Sequence, residues 1–130
     1  MNPSLSLVFW SLALFQTKHF ICDYMLQTPF QYLNKGRYGH PGGIIHAGIH
    51  ILGSIPAVLL FGAAPNVVAA VLAAEFAIHY HVDWLKEQIN RRRGLSHNSA
   101  LFWAVFGADQ FLHQMTYLAM LAALARAANL

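Results

Sequence analysis

Eight histidines and five acidic residues are spread along this chain of 130 residues, and most of them stand four positions apart. His19 precedes Asp23, His46 precedes His50, Glu75, His79 and Asp83 follow one another, and Asp109 precedes His113. On an α-helix, side chains at i and i+4 lie on one face a turn apart, so each set predicts a stripe of ligating or proton-carrying groups. Neutral imidazole nitrogens with carboxylate oxygens, and no thiolate, form the donor set of a hard or borderline divalent metal. These nine groups exceed the three or four ligands of one zinc ion. Two arrangements follow: a dinuclear Zn, Mn or Fe site with a bridging carboxylate, or one ion whose ligands the remaining groups orient.

The surroundings of these stripes are unusually apolar. Hydrophobic residues make up 57% of the chain and charged residues 10%, against roughly 45–50% and about 25% in soluble domains, and the mean hydropathy is +0.43. That balance excludes disorder and points to an integral membrane protein. The length suits one domain. A single cysteine, Cys22, excludes internal disulfides and cysteine-based metal sites. Three of the eight basic residues are Arg91, Arg92 and Arg93, so the net charge of +3 is not a diffuse basic surface, and nucleic acid is not an expected partner.

Four apolar stretches must position the stripes, at about residues 4–27, 43–63, 66–90 and 98–127. Each is long enough for a hydrocarbon layer of about 30 Å, which takes roughly 20 helical residues. Thr28-Pro29, a loop containing Asn34-Lys35-Gly36-Arg37 and His40-Pro41-Gly42-Gly43, the turn Ala64-Pro65-Asn66, and the arginine triplet with Gly94 separate them. Residues 96–99 offer N-cap chemistry for the fourth. The expected fold is all-α: a polytopic, up-and-down bundle of four transmembrane helices. The N-terminus has neither the basic start nor the cleavage site of a signal peptide, so the first helix is expected to be retained. Lys35, Arg37 and the arginine triplet fall in loops on one side, which the positive-inside rule assigns to the cytoplasm of a bacterial inner membrane. Gly42, Gly43, Gly48 and Gly53 are expected to let the second helix approach its neighbours closely.

Within a bilayer an ionised carboxylate costs roughly 2.5–3.5 kcal/mol, so Asp23, Glu75, Asp83 and Asp109 each need a partner. For the stripes to share one depth, the third and fourth helices must project further toward the cytoplasm than the first two. The expected metal ligands are His19, Asp23, His46, His50, His79, Asp83, Asp109 and His113; Glu75, a turn deeper than His79 on the same face, is the expected general base. Gln16, Gln27, Gln110 and Gln114 are expected to hydrogen-bond these groups, and Lys86 either snorkels or pairs with Asp83. His40 and His97 fall in loops, and His81 points off the His79 face.

The leading expectation is a metal-dependent hydrolase acting on a lipid-like or membrane-associated substrate from the cytoplasmic side, with the bilayer as its partner. One alternative is a redox protein holding haem b between His50 and His113. Another is a non-enzymatic small subunit, in a homo-oligomer or a larger membrane complex, whose polar layer serves assembly.

The runs His19-Phe20-Ile21-Cys22-Asp23-Tyr24-Met25-Leu26-Gln27-Thr28, Glu75-Phe76-Ala77-Ile78-His79 continuing to Asp83-Trp84-Leu85-Lys86, and Asp109-Gln110-Phe111-Leu112-His113 resemble an uncharacterised bacterial and phage membrane-protein family, domain of unknown function 3307. That pattern has a His, an Asp and a Leu-Gln near the first helix, a His on the second, a His and an Asp followed by Lys on the third, and Asp-Gln with a later His on the fourth. The resemblance spans roughly residues 18–117 and implies the same four stripes, without a known reaction. Tyr24 stands where the pattern has Phe. In ligand style alone, the set is similar to intramembrane zinc amidases of the ceramidase type.

Overall fold

Proline is the first residue of the helices that begin at 29, 41 and 65 in the computed structural model, which describes residues 3–130 and is all-helical over them. Helix α1 spans Pro3–Phe20 and runs directly into a π-helical turn, Ile21–Met25; α2 is Pro29–Tyr32, α3 Pro41–Leu59, α4 Pro65–Arg93 and α5 Ala100–Ala127. Proline lacks the N–H that a first helical residue would leave unpaired, and its φ is already helical. Residues read as breakers at Pro29 and Pro41 are therefore helix starts: α2 forms inside the expected loop, and α3 begins two residues early with the His40 side chain accepting the Gly42 N–H. At its other end α3 stops at Leu59, four residues short of the expected boundary, in a turn where Gly62 has φ of 58°. The fourth long helix starts at Ala100, and Ser99 at its N-cap makes no side-chain capping bond.

The long helices close a ring in which α1 packs on α3 and α5, and α4 packs on α3 and α5. Gly53 lets α1 come close, since a Cβ there would stand 3.3 Å from the Lys18 Cβ; one at Gly42 would stand 2.4 Å from the Phe30 carbonyl oxygen of α2. Gly48, expected to act likewise, faces open space.

The interior has two unlike halves. Toward the Pro65 turn it is a dry core of Phe15, Ala57, Val58, Phe61, Val71, Tyr117, Met120, Leu121 and Leu124. Toward the other end it is filled by charged groups and imidazoles. The segment between α2 and α3 folds over this polar half: the Gly36 carbonyl accepts from Gln88 Nε2 at 2.6 Å and from Arg91, and the Gly39 N–H donates to the Tyr80 hydroxyl at 2.6 Å. The two basic loops thus meet at one end of the molecule. The outer surface reverses the usual order, exposing Leu5, Phe9, Trp10, Phe20, Leu52, Leu59, Trp103, Phe111 and Leu118. Among the described residues two helices, Ser4–Met25 and Pro41–Leu59, are long and apolar enough to cross a membrane.

Candidate functional site

All four stripes point into the ring. Their meeting depends on helix lengths: α4 and α5, at 29 and 28 residues, outrun the 19 of α3, and this sets residues late in α4 and early in α5 level with the start of α3. Helices α4 and α5 run antiparallel and carry their pairs in opposite order, His79 then Asp83, Asp109 then His113. Reversed order on antiparallel helices brings like beside like. The His79 and His113 rings stack with centroids 4.2 Å apart, and Lys86 Nζ stands 3.6 Å from a carboxylate oxygen of both Asp83 and Asp109.

Two groups of ligand atoms result, each lying within 4.8 Å: Asp23, His46, His50 and His79 in one, His79, Asp83 and His113 in the other. His79 belongs to both. Asp23 reaches the first group from the π-helical turn, where the Leu26 N–H bonds the Ile21 carbonyl at 3.0 Å. This wider turn buries adjacent residues together: Cys22 donates to the Ile49 carbonyl on α3, and Asp23 Oδ1 lies 3.1 Å from Nε2 of both His46 and His50. His46 Nε2 is also 3.1 Å from Asp83 Oδ2, which joins the groups.

His19 stands at the edge of the assembly. Its Nε2 is 3.3 Å from Asp23 Oδ2 and 2.9 Å from Gln110 Oε1, and its Nδ1 pairs with the Tyr117 hydroxyl at 3.0 Å. Asp109 Oδ1 lies 3.6 Å from His113 Nε2. Glu75 is fully buried but deeper: Lys18 Nζ donates to its Oε1 at 2.5 Å, as does the Ser54 hydroxyl at 2.8 Å. Lys18 also reaches the His50 Nδ1 at 3.3 Å, so Glu75 is connected to the imidazoles through an ammonium group.

Several of these atoms have no hydrogen-bond partner although they are buried: His79 Nε2, Asp83 Oδ2, Asp109 Oδ1 and His113 Nε2. They are nonetheless close, with His79 Nε2 to Asp83 Oδ2 at 3.5 Å and His113 Nε2 to Asp83 Oδ1 at 3.7 Å. Donors bound about 2.0–2.1 Å from a common ion stand roughly 3.0–3.4 Å apart, so these pairs, at 3.5 and 3.7 Å, are a few tenths of an ångström wider than an ion would hold them.

A family model described as a protein of unknown function, DUF3307, matches residues 11–130, a span that takes in all four stripes. The chain belongs to the DUF3307 family. Comparison with curated proteins and with solved structures finds no match. In this DUF3307 chain the matched span also holds three buried or nearly buried lysines: Lys86, beside Asp83 as one of its two expected placements had it, and Lys18 and Lys35, which sequence reasoning undervalued. Lys35, expected to mark a cytoplasmic loop, is 6% exposed and donates to Asp83 Oδ1 at 3.2 Å. A signal for Lys18 was present, since it precedes His19 within an apolar run. For Lys35 there was none, because only the fold of the α2 segment turns it inward. Of the glutamines, Gln27 and Gln110 reach Asp23 and His19 as expected, whereas Gln16 is exposed. His97 is exposed, and the exposed His81 pairs with Tyr38 away from the cluster.

Proposed function

We propose that this chain is a multi-pass membrane protein, a bundle of four transmembrane helices, that holds one divalent ion on His79, Asp83, His113 and adjacent donors and hydrolyses a membrane-associated substrate from the basic-loop side. The observation that carries the reading is the set of buried donor atoms that converge without hydrogen bonds. Each buried unsatisfied polar atom costs about 1–3 kcal/mol, and an ion among them removes that cost. Asp23, His46 and His50 then orient the neighbouring ligands, and Glu75 acts through Lys18 as a positioning group for His50.

Charge supports one ion over two. Among the side chains at most 10% exposed, Asp23, Glu75, Asp83 and Asp109 face Lys18, Lys35 and Lys86, which leaves a single uncompensated negative charge with the imidazoles neutral; Glu87, 27% exposed, stands 3.6 Å from Lys86 outside this count. One divalent ion turns this into a single positive charge; two would bury three. When bound, such an ion lowers the pKa of water from about 15.7 toward about 7 and so supplies a nucleophile.

Helices α4 and α5 carry charge on their inner faces but present Ile78, Leu85, Trp103, Phe111 and Leu118 outward, which supports their crossing the bilayer beside α1 and α3. The dry core beyond Glu75 ends the polar interior halfway, which favours a site open from one side over a conduit. A haem between His50 and His113 would have to displace His79, whose ring lies 3.9 Å from one and 4.2 Å from the other.

Elemental analysis of the protein purified in mild detergent is expected to give about one zinc, manganese or iron per chain, without a haem band in the visible spectrum. Incubated with a bacterial polar lipid extract in oxygen-18 water, the loaded protein should release a product carrying the label, and chelator-treated protein should not. A metal-free protein with no labelled product would leave the polar layer as an assembly device. Reporter fusions after Gly36 and Gly94 are expected to read cytoplasm, and those at Asn66 and Leu130 the opposite side. The reverse pattern would put the opening on the wrong face for a cytoplasmic substrate.

A further inference from the structure

Beside the donor cluster lies a cavity of about 470 Å³ whose lining joins Gln27 and Lys35 from the α1 to α3 connection to Lys86 and Asn90 of α4 and Phe102 and Phe106 of α5. One wall carries Lys35 and Lys86 with Glu87 beside them, its carboxylate 3.6 Å from Lys86 Nζ, and is continuous with the cluster, since the two lysines touch Asp83 and Asp109. The opposite wall is aromatic. At the rim, Asn90 Oδ1 is buried without a hydrogen-bond partner.

Lysine ammonium groups have three donors each. Lys35 makes one hydrogen bond, to Asp83, and Lys86 stands 3.6 Å from its carboxylate neighbours, so donors remain for a group in the cavity. An ion drawing on Asp83 and Asp109 takes up the negative charge that now balances these lysines. The loaded site then carries excess positive charge in a place of low dielectric, and an anion restores the balance. A phosphate, with three terminal oxygens, can meet an ion and two ammonium groups at once, which a carboxylate's two oxygens cannot.

Resting on the metal-site reading above, we infer that this cavity binds the phosphate of an amphiphile, with its apolar chain against Phe102 and Phe106 and its head between Lys35 and Lys86. The substrate class is thus a phosphate-bearing lipid-like molecule that enters at the basic-loop end. The shared chemistry with free phosphate is separated by chain length.

Isothermal titration of the metal-loaded protein in zwitterionic nanodiscs with hexyl phosphate, inorganic phosphate and hexanol tests this. Hexyl phosphate should bind at least about tenfold more tightly than inorganic phosphate, from burial of its chain, and hexanol should show no saturable binding. Lys86→Met should weaken hexyl phosphate by about tenfold or more. Asn90→Asp, which places a negative charge at the rim without touching Asp83, should weaken it in the same direction and serves if Lys86→Met does not fold. Equal binding of inorganic phosphate, equal binding of hexanol, or full affinity in Asn90→Asp would each overturn the inference. Loaded protein that ignores hexyl phosphate defeats the inference alone; protein that takes up no metal defeats the reading beneath it.

Discussion

If the proposed ion is held as described, replacing His79 with alanine should abolish metal binding. His79 is the one side chain common to both groups of ligand atoms, is 1% exposed, and presents a buried Nε2 with no hydrogen-bond partner. Its ring lies between those of His50 and His113, tilted to the first and stacked on the second, so its loss removes a proposed ligand and opens the space that holds the two imidazoles in place. Altering groups that merely orient a ligand lowers metal affinity by about 10–100-fold, and removing a shared ligand should exceed that. Metal content measured after dialysis should therefore fall from about one ion per chain to near zero. His113→Ala should follow it, while His97→Ala, in the exposed turn before α5, should keep the full amount. Unchanged metal in all three would reduce the cluster to a hydrogen-bonded core.

The second large effect concerns stability. Lys18 and Glu75 pair at 2.5 Å with side chains 7% and 0% exposed, next to the dry half of the interior. Removing one partner of such a pair strands the other charge, at a cost of about 3–5 kcal/mol. Lys18→Met should therefore shift the denaturation midpoint in detergent strongly, while Glu75→Gln, which leaves acceptors for Lys18 and Ser54, should do less. The double variant Lys18→Met, Glu75→Leu should recover much of the loss, because hydrophobic replacement of both partners is often near neutral. If the single and double variants are equally destabilised, the two side chains act independently and the pair is not the stabilising unit.

How far these features could be read beforehand depended on whether they were local. The i,i+4 stripes follow from helical geometry alone, and so the inward placement of His46, His50, His79, Asp83, Asp109 and His113 was legible from spacing. So was the antiparallel passage through the Pro65 turn. The boundaries near Pro29 and Pro41 were misplaced because proline both ends and begins helices, and only tertiary packing of α2 under Gly42 decides between them. Lys18 and Lys35 were obscured for a related reason: a cation in an apolar stretch or a loop reads as a snorkelling or topology-setting residue until the fold shows a carboxylate across from it. Glu75 was placed correctly in depth, but its pairing with Lys18 joins α1 to α4 across 57 positions of sequence, which no local pattern carries.

The π-helical turn at Ile21–Met25 can be restated as a length. A turn closed by an i to i+5 bond holds one residue more than the α-helical path needs. Deleting Met25 would let the first helix close as regular α-helix and leave both the His19 to Asp23 spacing and the path beyond nearly in place. Gln27 would then keep its position beside Asp23 and His46, where it now stands 3.5 Å from each. In an alignment, a one-residue gap between the positions of Asp23 and Gln27 would therefore mark chains whose first helix lacks the wide turn, with no second change near Gln27 needed to accompany it.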